Sequence, residues 1–128
     1  MQPRILIADN DHAVGSLLAQ VASRLRCGVT TVHDGEAAMR ELEAADYAVL
    51  VCDLDMPKVS GAALLEWLAK ACRPTRAIVV SGFVDAAVER RLLSLGVVTG
   101  ILRKPFDLGV FLERVRDALP PPAQRAVP

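Results

Sequence analysis

The chain has 128 residues, enough for one domain with a sizeable core and too few for a second of similar size. Its 52% hydrophobic and 23% charged content is that of a folded globular chain, and 15 basic residues balance 15 acidic ones. No net field therefore draws it to nucleic acid or to an anionic membrane, and its apolar runs fall well short of the roughly 20 residues that span a bilayer.

In chain order, Arg4–Ala8 reads as a first strand, short and apolar, followed at once by the acids Asp9 and Asp11 rather than by the apolar stretch of a secretion signal. A first helix carries Val14, Leu17, Leu18, Val21 and Leu25 at helical spacing, with Asp11 placed to cap it and Gly28 where a glycine follows a helix end. Val29–Val32 is the weakest strand and reads as a sheet edge. A second helix is expected near Glu36–Ala45, and a third strand over Ala48–Cys52 runs into Asp53. The third helix sets Leu64, Leu65, Leu68 and Cys72 on one face, with Ser60 near its start and Trp67 off that face. Arg76–Ser81 is a fourth strand, Ala86–Leu95 a fourth helix closed by Gly96, and Val97–Leu102 a fifth strand. After an Asp107 cap the last helix places Leu108, Phe111, Leu112, Val115 and Leu119 inward. Pro120, Pro121 and Pro122 stop it, so residues 1–119 form the expected domain and 120–128 a proline-rich tail or the start of a linker.

Strict alternation of strands with 10–15 residue helices predicts an α/β, doubly wound (βα)5 fold with right-handed crossovers. For five parallel strands the order 2-1-3-4-5 is favoured, which makes strands one and three neighbours at the switch point where such sheets bind ligands. Asp9 and Asp53 would then face each other, joined by Ser81 from strand four and Lys104 after strand five. Clustered carboxylates repel unless a cation intervenes, and hard oxygen ligands of this kind suit Mg²⁺ bridged to a phosphate. The Lys104–Pro105 bond is a candidate cis peptide that would aim the ammonium inward. Cys27, Cys52 and Cys72 have no metal-ligand spacing, Cys52 reads as a buried free thiol, and a reducing cytoplasm fits. His12 and His33 have no partner at metal spacing and read as surface residues.

With the strand ends placed, roughly residues 4–119 resemble the receiver domain of two-component response regulators, a flavodoxin-like (CheY-like) fold. The motifs that carry the resemblance are the acidic Asp9-Asn10-Asp11, Asp53-Leu54-Asp55-Met56-Pro57 with Ser60-Gly61, Val80-Ser81-Gly82 and Lys104-Pro105-Phe106. The resemblance implies that Asp53 accepts a phosphoryl group from a sensor histidine kinase or a phosphotransfer protein. It implies Mg²⁺ held by Asp9, Asn10, Asp53 and the backbone carbonyl of Asp55, with Ser81 and Lys104 binding the acquired phosphoryl group. The face made by the fourth helix, fifth strand and fifth helix, which carries Arg90, Arg91, Arg103, Arg114 and Arg116, would serve an output domain, a downstream protein or a second copy. Apart from self-catalysed acceptance and loss of phosphate, such a domain is not an enzyme.

Two positions depart from the family. Asn10 stands where a second acid usually ligates Mg²⁺, so weaker metal binding and slower phosphorylation are expected. Ile101 stands where an aromatic switch residue usually lies, three places before the lysine. Asn10 is also the only support for an alternative, a phosphorylation-independent pseudo-receiver acting as a protein-interaction module. A haloacid-dehalogenase-type phosphatase fits poorly, because its D-x-D follows the first strand and here the motif follows the third. An FMN site fails because the first loop is acidic where a phosphate cradle is needed.

Overall fold

The computed structural model describes residues 2–121. Strands and helices alternate as β1 (Arg4–Ala8), α1 (His12–Ala22), β2 (Gly28–Val32), α2 (Gly35–Ala44), β3 (Val49–Asp53), α3 (Gly61–Lys70), β4 (Arg76–Ser81), α4 (Ala86–Ser94), β5 (Val98–Arg103) and α5 (Leu108–Ala118). All strand pairs are parallel, in the order β2-β1-β3-β4-β5, which is the predicted doubly wound topology. No helix among the described residues is long and apolar enough to cross a membrane.

Local chemistry explains where the helices begin. Each opens on a residue whose side-chain oxygen accepts a first-turn N–H: Asp11 for α1, Asp34 for α2, Ser60 for α3, Asp85 for α4 and Asp107 for α5. Each cap therefore also ends the loop that leaves a strand's carboxyl end, and those loops build the site.

Alternate residues of each buried strand serve two cores. Leu6, Ala8, Leu50, Cys52, Ala77 and Val79 face one side, with Ala38 and Leu42 of α2, Leu64, Leu65 and Leu68 of α3, and Leu92 of α4. Ile5, Ile7, Val49, Val51, Ile78 and Val80 face the other, with Leu18, Val21 and Ala22 of α1 and Phe111, Val115 and Ala118 of α5. Burial on both faces is why β1, β3 and β4 read as unbroken apolar runs, whereas the edge strand β2 is nowhere fully buried.

Several sequence expectations need correction. Strand β3 ends on Asp53 itself and β5 on Arg103, while β2 starts at Gly28. Gly28 is thus not the left-handed residue after a helix. A short 3-10 turn, Ser23–Leu25, follows α1, and Arg26 takes that conformation at φ 55°. Gly96, at φ 82°, does close α4 as expected. Leu17 is 44% exposed rather than part of the α1 core stripe. Cys72 lies past the end of α3, exposed and left-handed at φ 53°. Trp67 is half-buried beside the α2–α3–α4 core, with the Arg73 guanidinium 6.0 Å from its ring. Pro120 and Pro121 are the last described residues after α5, and the rest of the expected tail lies outside the described residues.

Candidate functional site

At the carboxyl edge of the sheet, β1 delivers Asp9, β3 ends on Asp53, β4 ends on Ser81, and Lys104 follows β5. Asp9, Asp53 and Ser81 are the buried polar side chains on this edge, at 0%, 5% and 4% exposure. Buried carboxylates need partners, and both have them. Asp9 Oδ1 accepts the Asp11 N–H at 2.8 Å, and Asp53 Oδ1 accepts the Asp55 N–H at 3.1 Å. The second oxygen of each turns to one cation, with Lys104 Nζ 3.0 Å from Asp9 Oδ2 and 3.6 Å from Asp53 Oδ2. The Lys104–Pro105 peptide bond is cis.

The Ser81 hydroxyl donates a long bond of 3.4 Å to the Phe83 carbonyl, while the Ser81 carbonyl accepts the Lys104 N–H at 2.8 Å. Asn10 sits exposed on the rim. Asp55 is exposed and presents its N–H to Asp53. Ile101 is half-buried against the α2–α3–α4 core, apart from the acidic cluster.

The loop after β3 is fixed by two glycines. Helix α2 starts so close to this loop that a Cβ on Gly35 would lie 1.9 Å from the Val59 carbonyl oxygen. A Cβ on Gly61 would lie 2.2 Å from the carbonyl oxygen of Asp53. Both requirements are close approach rather than unusual φ. Lys58, left-handed at φ 69°, adds an ion pair to Asp34 at 3.8 Å. The motif pointed to Gly61; its reason is visible only in three dimensions, and Gly35 had no signal in the sequence.

Charge in the pocket is unbalanced. Burial, the largest influence, holds the Asp53 pKa above its ordinary 3.8; the Asp55 N–H pulls it down, Asp9 raises it and Lys104 lowers it. Burial also disfavours the Lys104 ammonium, but the hydrogen bond and charge of Asp9, with Asp53 adding, hold its pKa above 10.5. The native state binds the Asp53 proton more tightly than the unfolded chain does. In metal-free protein this group's contribution to stability therefore falls as pH rises from 3.8 through the raised value. Asp53→Asn is expected to raise the metal-free Tm at neutral pH, and the gain should vanish in thermal melts run below the carboxylate range.

The donor set suits a hard cation: two carboxylates close enough to share one ammonium, the Asp55 loop beside them and an amide oxygen at Asn10. Among the described residues no three acids, histidines or cysteines converge on a point, so the site has two carboxylates and neutral oxygens rather than three acids.

The family model for the response regulator receiver domain matches residues 5–116. The chain belongs to the response regulator receiver family. As a receiver, it is 28% identical over 96% of its length to the transcriptional regulatory protein CutR of Streptomyces coelicolor. It is 30% identical over 92% of its length to the Regulator of RpoS of Escherichia coli K12. The chain spans 59% and 35% of those two proteins. Among solved structures, the Francisella response regulator 1452 receiver domain superposes with a TM-score of 0.84 at 26% identity, covering 91% of this chain and 96% of that one.

The receiver also carries features with no signal in its sequence. The rings of His12 and His33 stack at 3.6 Å, and His33 Nδ1 lies 3.1 Å from the Asp9 carbonyl. A carbonyl only accepts, so Nδ1 carries the proton. His12 is exposed and His33 half-buried, so both lie at the surface as expected, but they are packed on each other. Arg103, beside Lys104, reaches across to α4.

Proposed function

We propose that residues 1–119 act as a phosphoacceptor receiver that takes a phosphoryl group onto Asp53 and switches conformation to signal to a partner. The observation that carries this is the single Lys104 ammonium shared by two buried carboxylates, at 3.0 and 3.6 Å. The Asp53 carboxylate attacks the phosphorus of a phosphohistidine on a sensor kinase or phosphotransfer protein. The P–N bond breaks, and its electron pair returns to the imidazole. Bound Mg²⁺ would neutralise charge on the transferring group. Asp9, Asn10, Asp53 and the Asp55 carbonyl are the groups to hold it.

Lys104 faces the developing charge, and the Ser81 hydroxyl exchanges its long bond to Phe83 for one to the acquired phosphoryl oxygen. Moving a 1:99 population to 99:1 takes about 5.5 kcal/mol, which a partly buried lysine together with a cation on a phosphoryl group can supply and a surface pair cannot. Acceptance and loss of phosphate are self-catalysed, the kinase places the reaction in the cytoplasm, and the α4–β5–α5 face serves the output partner or a second copy.

Incubation with acetyl phosphate, with and without Mg²⁺, tests this by intact mass. The expected outcome is a Mg²⁺-dependent gain of one phosphoryl group, lost in Asp53→Asn. The exposed, neutral Asn10 is the one feature behind a second reading, a phosphate-independent binding module, and no gain at high Mg²⁺ with candidate kinases would move the reading to it. Asn10→Asp is expected to tighten Mg²⁺ binding about tenfold, the equivalent of about 1.4 kcal/mol from one added charge. Calorimetric titration of both proteins measures the difference.

A further inference from the structure

We propose that Arg103 is a positioning residue that holds the β4–α4 loop in its resting place and so limits how readily Ser81 meets a phosphoryl group. The inference rests on the receiver reading and answers a question it leaves: Ile101 supplies no aromatic ring to couple the pocket to the surface.

Arg103 is the last residue of β5, in register with Ser81 across the sheet, and its side chain is exposed where that of Leu102 is buried. One nitrogen, Nη2, donates to the Val84 carbonyl at 3.2 Å and to Glu89 Oε2 at 3.1 Å. Val84 is buried and closes the loop after Ser81, and Glu89 lies in the first turn of α4. A single guanidinium therefore ties the strand that delivers Lys104 to both the loop and the helix beyond it.

The Ser81 main chain is already fixed from the same strand, through its carbonyl and the Lys104 N–H at 2.8 Å. What remains free to change is the segment between, Gly82 and Phe83. A Cβ on Gly82 would meet nothing within 4 Å, and the Phe83 ring is 79% exposed, so packing does not hold this segment. Its restraints are the 3.4 Å bond from the Ser81 hydroxyl to the Phe83 carbonyl and the Arg103 bonds at its far end. When the Ser81 hydroxyl turns to a phosphoryl oxygen it releases the first restraint, and the second still opposes movement of the loop. The ion pair with Glu89 is half-exposed and contributes little by itself. The bond to the Val84 carbonyl is charge-assisted and sets the geometry.

Arg103→Gln in the full chain is the test. Uptake from acetyl phosphate in Mg²⁺ should quicken about fivefold, and the affinity for beryllofluoride with Mg²⁺ should rise by the same factor, since about 1 kcal/mol of restraint corresponds to that ratio. Amide exchange at Phe83 and Val84 should speed up in the resting protein. Glu89→Gln, which keeps the Val84 bond, should show a smaller change, and Arg103→Lys should partly restore the slow rate. A lower Tm with unchanged uptake, affinity and exchange would show a merely structural role and overturn the proposal, and slower uptake would overturn it by placing Arg103 on the side of the phosphorylated state. If the unmodified chain neither takes phosphate nor binds the mimic, the receiver reading fails. Exchange at Phe83 and Val84 then still decides whether Arg103 holds the loop.

Discussion

Lys104→Met is expected to slow phosphoryl uptake by about 100-fold, the usual consequence of removing one preorganised group that meets transition-state charge. The same substitution should destabilise the metal-free fold, because Asp9 is fully buried and Asp53 nearly so, and both turn an oxygen to this one ammonium. Stranding one partner of a fully buried ion pair costs about 3–5 kcal/mol. Lys104 is 24% exposed, so water shares the task and about 1–3 kcal/mol is the expectation here. Of the two losses, the stability deficit is the one that Mg²⁺ should reverse. With the lysine gone, a bound cation takes over as counter-charge to Asp9 and Asp53, so the mutant should bind it more tightly and recover stability as it is added. Urea midpoints with and without Mg²⁺ measure this, and a stability deficit that does not shrink would show that the lysine holds the fold through its aliphatic stem instead.

Gly61→Ala carries the second large effect. The added methyl carbon would stand 2.2 Å from the Asp53 carbonyl oxygen, 2.6 Å from Leu54 Cα and 2.9 Å from the Asp53 carbonyl carbon, all main-chain atoms. No rotamer relieves such contacts. Either α3 retreats, breaking the 3.0 Å bond from the Gly61 N–H to the Leu54 carbonyl, or the end of β3 shifts and carries Asp53 with it. Overpacking against side chains costs about 1–3 kcal/mol, and against backbone the upper end or more is expected. Uptake should fail along with stability. Gly82→Ala is the matched control: it meets nothing within 4 Å, has an ordinary φ, and should lie within about 0.5 kcal/mol of the parent.

The sequence made the fold legible wherever one periodicity dominated. β1, β3 and β4 are buried on both faces and could be read from their composition, and three helix starts could be read from Asp11, Ser60 and Asp107, while the caps Asp34 and Asp85 came only with the structure. Errors gathered where two local rules compete. Gly28 carried the signature of a helix stop, yet α1 tightens into a 3-10 turn, and Arg26 takes the left-handed position two residues earlier. Leu17 and Cys72 fit an apolar stripe by spacing, but hydrophobic spacing does not say where a helix ends or which edge of the stripe meets the sheet.

The gathering of Asp9, Asp53 and Lys104 followed from strand order alone, because polar residues ending adjacent parallel strands must meet at one edge. Contacts that link loops had no such rule. The His12–His33 stack, the Gly35 approach to Val59 and the reach of Arg103 to Val84 depend on how loops from different strands fold over one another.

The sheet places the α1–α5 core and the α2–α3–α4 core back to back, with alternate residues of β1, β3 and β4 assigned to one or the other. It is a partition between two rooms. A large-to-small change at Leu18 loosens one room, and one at Leu65 the other, with no packed neighbour in common. Their costs should simply add. Each side is then free to drift under its own selection, acquiring a new binding partner or losing an old one without renegotiating the packing behind the wall.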